Sequence, residues 1–346
     1  MRDVEFLALL VHRGLVPREH ARELARAVEA GSALDGVLAD SLGWSDAQIQ
    51  KLRRTRAGEI PELPGYEILA KLGTGGTAEV FQARETASKK VLALKVLKPE
   101  AAQHEPTRKS FIAEARMLER LQHQGLVRCF GVARSGNQFF SRLEYIEGST
   151  VLELLDRQER FEEGEALRIA LAAAEVLRYL GENGVVHRDV KPGNIMLGKD
   201  GRVVLIDLGF AIPEATRSAE DSSVGTVAYL SPEQARGGAS ADIRSDIYSL
   251  GISLFHIVVG RLPFQGSDDR ETLRKQVMES LSSPELKGRG ISPHVHYFIE
   301  KMVAKDLGAR YQNWNELIAD IRAQLAGRAD LDFERDARPR RGPRPR

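Results

Sequence analysis

"HRDVKPGN", residues 187–194, directly follows the apolar Gly184-Val185-Val186 and decides how the rest of the chain is read. A plain surface turn needs only Pro192 and Gly193; this loop adds Asp189, Lys191 and Asn194. Beyond a further apolar strand, "VVLI" (203–206), comes Asp207-Leu208-Gly209. Two acids and an amide, each delivered at the end of an apolar segment, can hold hard cations through oxygen ligands and leave one carboxylate to receive a proton. Magnesium is the natural guest. The density suits phosphoryl transfer, which is mostly positioning and charge neutralisation and needs base, cation and metal ligand side by side.

Upstream, "LGTGGTAEV" (72–80) places Gly73, Gly75 and Ala78 in the spacing of a dinucleotide fingerprint, but a strand (Val80-Phe81) follows where that fingerprint needs a helix. The glycines therefore read as the tip of a hairpin lying over phosphates, and the missing Gly-Lys-Ser/Thr removes the Walker reading. In "VLALKVL" (91–97), strand alternation puts Val91, Ala93, Lys95 and Leu97 on one face. A lysine there is costly to bury without a carboxylate or phosphate. A helix expected over 108–121 carries Phe111, Ala115 and Leu118 as its apolar stripe, with Glu114 on the same stripe as the expected partner of Lys95.

The whole chain sets the frame. Its 346 residues, 42% hydrophobic and 29% charged, are enough for one large domain or two smaller ones. Fifty basic against 49 acidic residues leave a net charge of +1, so no general attraction to nucleic acid or an anionic membrane is expected. The single cysteine, Cys129, excludes an internal disulfide and fits a reducing compartment. The longest apolar run, Leu250 to Val259, is interrupted by His256 and too short to cross a bilayer, and Asp3 and Glu5 stand where a signal peptide would be basic. A cytoplasmic location without a membrane span is the expectation.

Along the chain, residues 1–57 read as a small all-α module with a weak internal echo, "LLVHRGLVPREHAREL" (9–24) and "VLADSLGWSDAQIQKL" (37–52). It resembles paired-helix modules found ahead of catalytic domains in bacterial regulatory and secretion proteins, which implies docking of a soluble partner. Residues 58–65 are the expected linker. From Tyr66 short apolar strands predict an antiparallel meander, and after about residue 150 helical periodicity dominates. The class is α+β on a two-lobed plan, with a strand-rich lobe over 66–143 and a helical lobe over 147–328. Residues 329–346, ending "RPRRGPRPR", read as a disordered basic tail, with a specific nucleic-acid role not expected.

Taken together, "HRDVKPGN", "DLG" and "GTVAYLSPEQARG" resemble the signature set of the eukaryotic-type (Hanks-type) serine/threonine protein kinases, in the wording of their bacterial branch. The likeness covers about residues 66–325. It implies the two-lobed protein kinase fold, ATP with Mg2+ (or Mn2+) as cofactors, and protein substrates. By that resemblance Lys95, held by Glu114, orients the α- and β-phosphates; Asp189 accepts the substrate hydroxyl's proton; Lys191 steadies the γ-phosphoryl group; Asn194 and Asp207 hold the metal. Adenine lies between Leu72, Val80 and Ala93 on one side and Met196 on the other, with Glu144 to Ile146 as the hinge and Leu143 as gatekeeper. Asp246 is a helix N-cap by itself; the resemblance adds an anchor for the backbone of 187–189. Glu233 and Arg310 match the family's buried ion pair, and Arg188 the arginine that pairs with a phosphorylated activation segment.

That segment offers Thr216, Ser218, Ser222, Ser223 and Thr226. Thr226 is expected to touch Asp189 and Lys191, and Ser222 or Ser223 to be autophosphorylated, unless Glu220-Asp221 supplies standing charge. Ala78, Leu208 and Ser231 depart from the commonest family residues without removing a charged or metal-binding group. A silent pseudokinase scaffold and a small-molecule phosphotransferase are the rival readings, and a homodimer is left open by the sequence.

Overall fold

The computed structural model describes residues 3–12, 15–56, 60–158, 160–208, 226–237, 241–281 and 291–327. The chain divides into two compact units, residues 1–71 with 83–90, and residues 72–82 with 91–346.

The first unit begins with four helices, α1 (Asp3–His12), α2 (Arg18–Glu29), α3 (Leu34–Leu42) and α4 (Asp46–Arg56). The two echoed stretches each run from one helix into the next, 9–24 from α1 into α2 and 37–52 from α3 into α4. Gly43 ends α3 in the left-handed region (φ 66°), which a side-chain-free residue adopts without penalty. Ser45 and Gln48 then open α4 with reciprocal bonds, Ser45 N to Gln48 Oε1 at 2.8 Å and Gln48 N to Ser45 Oγ at 3.3 Å. Phe6, Leu10, Leu24, Leu34, Leu38 and Ile49 form an apolar core of their own. Arg53 clamps the bundle: it meets Asp3 at 2.8 Å and Asp35 at 2.6 Å, and lies 4.8 Å over the Phe6 ring.

Strands β1 (Tyr66–Thr74), β2 (Ala78–Glu85), β3 (Val91–Leu97), β4 (Cys129–Ser135) and β5 (Gln138–Glu144) make one sheet in the order β1-β2-β3-β5-β4. The run β1-β2-β3 is a meander; β5 then pairs antiparallel with both β3 and β4, with Ala93 opposite Leu143 and Lys95 opposite Ser141. Between β3 and β4 lie the short helix α5 (Pro99–Gln103) and α6 (Glu105–Arg120). Helix α6 starts three residues before the expected Arg108, because Pro106 falls in the first turn, where its missing N–H breaks no helical bond. The β3 alternation is also blurred: Leu92 and Leu94 are as buried as Ala93, since a central strand is covered on both faces.

The remainder is mainly helical: α7 (Val151–Gln158), α8 (Glu163–Glu182), α9 (Pro232–Ala235), α10 (Ile243–Val259), α11 (Asp269–Met278), α12 (Pro293–Met302) and α13 (Trp314–Leu325). A second sheet, β6 (Gly148–Thr150), β7 (Ile195–Gly198) and β8 (Val203–Leu205), lies among them. The sheet-rich part followed by the helical part is the two-lobed α+β plan. Helix α10 is its central post. Capped by Asp242 and closed by left-handed Gly260 (φ 82°), it is buried along nearly its whole length, so its apolar residues do not sort onto one face. Among the described residues no helix is long and apolar enough to cross a membrane. Cys129 is a free, buried thiol whose pKa burial raises, which suits a core filler.

Candidate active site

The hairpin of β7 and β8 brings two distant oxygen donors to one place. Ile195 pairs with Leu205, so Asn194, just before β7, and Asp207, just after β8, lie at the same end, and Ile206 N donates to Asn194 O at 3.1 Å. Across from them, Lys95 Nζ on β3 donates to Glu114 Oε1 on α6 at 2.7 Å and to Asp207 Oδ1 at 3.2 Å. Burial alone would lower the Lys95 pKa, but the Asp207 and Glu114 carboxylates outweigh it and raise it, so the ammonium stays charged.

Asp189 is buried, and its two oxygens differ. Oδ2 accepts from Lys191 Nζ at 2.8 Å and from Asn194 Nδ2 at 2.9 Å. Oδ1 has no hydrogen-bond partner. A buried acceptor without a donor is costly in a resting protein and useful in one that receives a hydroxyl. The loop that carries it is strained: Arg188 sits at φ 66°, a region that a residue with a side chain seldom enters. Asp246 holds it there, accepting from His187 N at 2.8 Å and from Arg188 N at 2.7 Å. Asp246 is thus the anchor and not the N-cap, a place that Asp242 takes. His187 is buried too, its Nδ1 3.2 Å from Asp189 N; burial takes its pKa down to about 4, so it stays neutral and serves the loop's shape.

Three carboxyl groups (Glu114, Asp189, Asp207) face two ammonium groups in this cluster, and burial holds the pKa of Glu114 and Asp189 up, a penalty that a bound cation would relieve. Asn194 commits its NH2 to Asp189, through the backbone carbonyl at 2.8 Å and Oδ2 at 2.9 Å, which directs its carbonyl oxygen elsewhere. Among the described residues no group of three or more His, Cys, Asp or Glu could hold a metal. An ion here would take Asn194 and Asp207 and draw its remaining ligands from phosphate and water, the habit of magnesium. The residues present fit that group.

The glycine turn lies between β1 and β2, with Gly75 N donating to Ala78 O at 2.8 Å. Lys98, which no sequence motif singles out, ties it down by donating to Gly75 O at 2.7 Å and to Gly76 O at 2.9 Å. Of the expected adenine contacts, Ala93, Val80 and Met196 pack into one apolar cluster, while Leu72 is 43% exposed. Leu143 and Ile146 are buried. Glu144 N donates to Arg128 O at 2.8 Å, which commits that N–H within the protein. The Glu144 carboxylate is held by Arg202 at 2.8 Å, a second residue that no motif pointed to.

Below the site, Arg310 and Glu233 form a bidentate pair at 2.8 and 2.9 Å. Thr216, Ser218, Ser222, Ser223 and Gly209 lie outside the described residues, as does the side chain of Thr226, whose backbone opens a 3-10 turn, Thr226–Tyr229.

Residues 66–320 match the family model described as protein kinase domain. The chain is 32% identical over 258 residues to a probable serine/threonine-protein kinase of Clostridium acetobutylicum, covering 74% of this chain and 39% of that protein. It is 32% identical over 259 residues to the serine/threonine-protein kinase PrkC of Bacillus subtilis (74% and 40%) and 34% identical over 263 residues to the serine/threonine-protein kinase PknB of Mycobacterium leprae (74% and 42%). The chain spans about two fifths of the length of these curated relatives.

Proposed function

The chain belongs to the protein kinase family, and on that premise we propose that it is a serine/threonine protein kinase, moving the γ-phosphoryl group of ATP to a protein hydroxyl. The observation that carries this reading is the cluster in which Lys95 reaches both Glu114 and Asp207 while Lys191 and Asn194 share one oxygen of Asp189. Lys95 orients the α- and β-phosphates. Asp189 takes the proton of the incoming Ser or Thr hydroxyl on Oδ1, and Lys191 meets the charge of the transferring phosphoryl group. Asn194 and Asp207 would hold Mg2+, with Mn2+ a substitute, and the ion would supply positive charge to offset that of the phosphates. Gly73 and Gly75 let the backbone approach those phosphates. Leu72, Val80, Ala93 and Met196 enclose adenine, and the Glu144 to Ile146 backbone meets its polar edge.

Incubation with γ-labelled ATP and Mg2+, followed by phosphoamino acid analysis, is expected to give phosphoserine or phosphothreonine. A folded chain that binds ATP but labels no protein would overturn the reading in favour of a silent scaffold. Autophosphorylation belongs to the same reading, at Ser222 or Ser223, and an unmodified 214–228 peptide from active enzyme would contradict it.

Burial raises the Asp189 pKa to about 6, against the pull of Lys191. Below that value the carboxyl is protonated and cannot accept a proton, so kcat/KM, which reports the free enzyme, should fall about tenfold per pH unit under pH 6. A profile flat down to pH 5 would remove Asp189 from the role of base.

In the same reading residues 1–57 dock a soluble protein partner, 58–65 link them to the kinase domain at 66–328, and 329–346 form a solvated tail. The separate apolar core of the four N-terminal helices supports the first assignment.

A further inference from the structure

Helix α11 buries one polar side chain that the catalytic cluster does not use. Gln276 is 0% exposed on a helix whose other residues are mostly charged. Its Oε1 accepts from the Tyr248 hydroxyl at 2.6 Å, and its Nε2 donates to the backbone carbonyl of Ala228. Lys305 Nζ donates both to the Tyr248 hydroxyl at 2.8 Å and to the backbone carbonyl of Gln276 at 2.6 Å. Lys305 also lies 3.9 Å over the Phe264 ring, a contact that offsets part of the cost of enclosing a cation.

The direction of each link is forced. A backbone carbonyl only accepts, so the group that meets Ala228 O is the Gln276 NH2, and the Tyr248 oxygen, whose proton goes to Gln276, accepts from Lys305 Nζ, an amine whose pKa burial lowers to about 7. Gln276 must therefore turn its oxygen to Tyr248 and its NH2 to Ala228, which fixes an amide orientation that is otherwise a free choice. The chain Lys305, Tyr248, Gln276, Ala228 is a one-way relay that ends on a main-chain carbonyl.

That carbonyl belongs to the turn Thr226–Tyr229, between the segment with the candidate phosphosites and α9. The next residue is held from α10: Ser249 Oγ donates to Tyr229 O at 2.8 Å, and the Tyr229 hydroxyl lies 2.8 Å from His256 Nδ1. On the same helix Asp246 grips the backbone of His187 and Arg188. One turn of α10 thus fixes both the loop of Asp189 and the turn at 226–229, and Gln276 adds a grip on that turn from α11. The hydrogen bonds of the relay join Lys305, Tyr248, Gln276 and Ala228, whereas those of Lys95 go to Glu114 and Asp207, the residues assigned to the nucleotide.

We infer that Gln276 is a positioning residue for the protein substrate: through the relay it sets the Ala228 carbonyl, and with it the register in which a polypeptide lies beside Asp189. This deepens the kinase reading and rests on it. The test is steady-state kinetics with casein and ATP as varied substrates. Gln276→Glu keeps the shape and the acceptor for Tyr248 but cannot donate to Ala228. The loss of one buried hydrogen bond predicts a KM for casein raised about tenfold with the KM for ATP within twofold of the parent. Lys305→Met, which removes the first link, should shift the casein KM the same way, by about threefold. Folded variants with the parent's casein KM, or with both KM values displaced alike, overturn the inference while leaving the kinase reading intact. If Gln276→Glu does not fold, Lys305→Met decides by the same criterion. A parent chain that labels no protein overturns the kinase reading, and the inference falls with it.

Discussion

Replacing Asp189 with Asn is expected to lower kcat by roughly 10²- to 10⁴-fold, the usual worth of a positioned proton acceptor, with the KM for ATP little changed. The substitution is nearly isosteric. The amide oxygen can still accept from Lys191 and Asn194 at the present Oδ2 position, so the loop keeps its internal bonds. What changes is the other end, where an NH2 group replaces the unpartnered Oδ1 and offers the substrate hydroxyl a donor in place of an acceptor. The buried carboxylate also carries a desolvation penalty, visible in its raised pKa, so the neutral amide should leave the unfolding midpoint equal or slightly higher. Initial rates with saturating ATP, beside a thermal melt, make the check. A kcat within threefold of the parent would show that the proton goes elsewhere.

Arg310→Ala should destabilise the chain by about 3–5 kcal/mol, because breaking a buried pair leaves the surviving charge uncompensated. The Arg310 side chain is 0% exposed; besides Glu233 it donates to Ala304 O at 2.7 Å and to Arg244 O at 3.0 Å, and it lies 4.8 Å from the Tyr248 ring. Its removal leaves Glu233 with Ser245 Oγ at 2.7 Å. The pair has a pH signature as well. Burial would raise the Glu233 pKa, but the hydrogen bonds and charge of Arg310, with Ser245, bring it down to about 2. A depressed carboxylate stabilises the fold fully above its unfolded value of about 4.5 and loses that contribution as the pH falls toward 2, a linkage of about 3 kcal/mol. Urea unfolding of the parent should weaken across that window, and the Arg310→Ala protein should lack that part of the acid dependence. Equal urea midpoints for the two proteins at pH 7 would contradict the claim.

Much of the candidate site was legible because its parts are local signals. "HRDVKPGN" and "DLG" keep Asp189, Lys191, Asn194 and Asp207, the proposed base, cation and metal ligands, within short segments flanked by apolar strands, so spacing alone groups them. The Lys95 and Glu114 contact could be read from a lysine in an apolar strand and a glutamate on an apolar helical stripe, and the two meet at 2.7 Å. Lys98, Arg202, Gln276 and Lys305 gave no such signal. None falls in a recognised motif, and each acts through a contact whose partner lies 22 to 58 positions away in sequence. Only the folded chain shows which polar groups are turned inward. The same holds for Asp246, where one residue in a helix's first turn fits both a cap and an anchor until His187 and Arg188 are seen to donate to it. Strand β1 shows the opposite limit: its apolar Leu69 and Leu72 are exposed, so hydrophobicity predicted the strand but not a buried face.

The central claim is that side chains from β3, α6, the 187–194 loop and the end of β8 surround one triphosphate and its ion. A crystal structure of the chain with a non-hydrolysable ATP analogue and Mg2+ tests it most directly. The account predicts Lys95 Nζ on the α- and β-phosphates, the metal on Asn194 Oδ1 and Asp207, and Asp189 Oδ1 facing the space beyond the γ-phosphate. A triphosphate bound away from Lys95, or a metal that touches neither Asn194 nor Asp207, would contradict it.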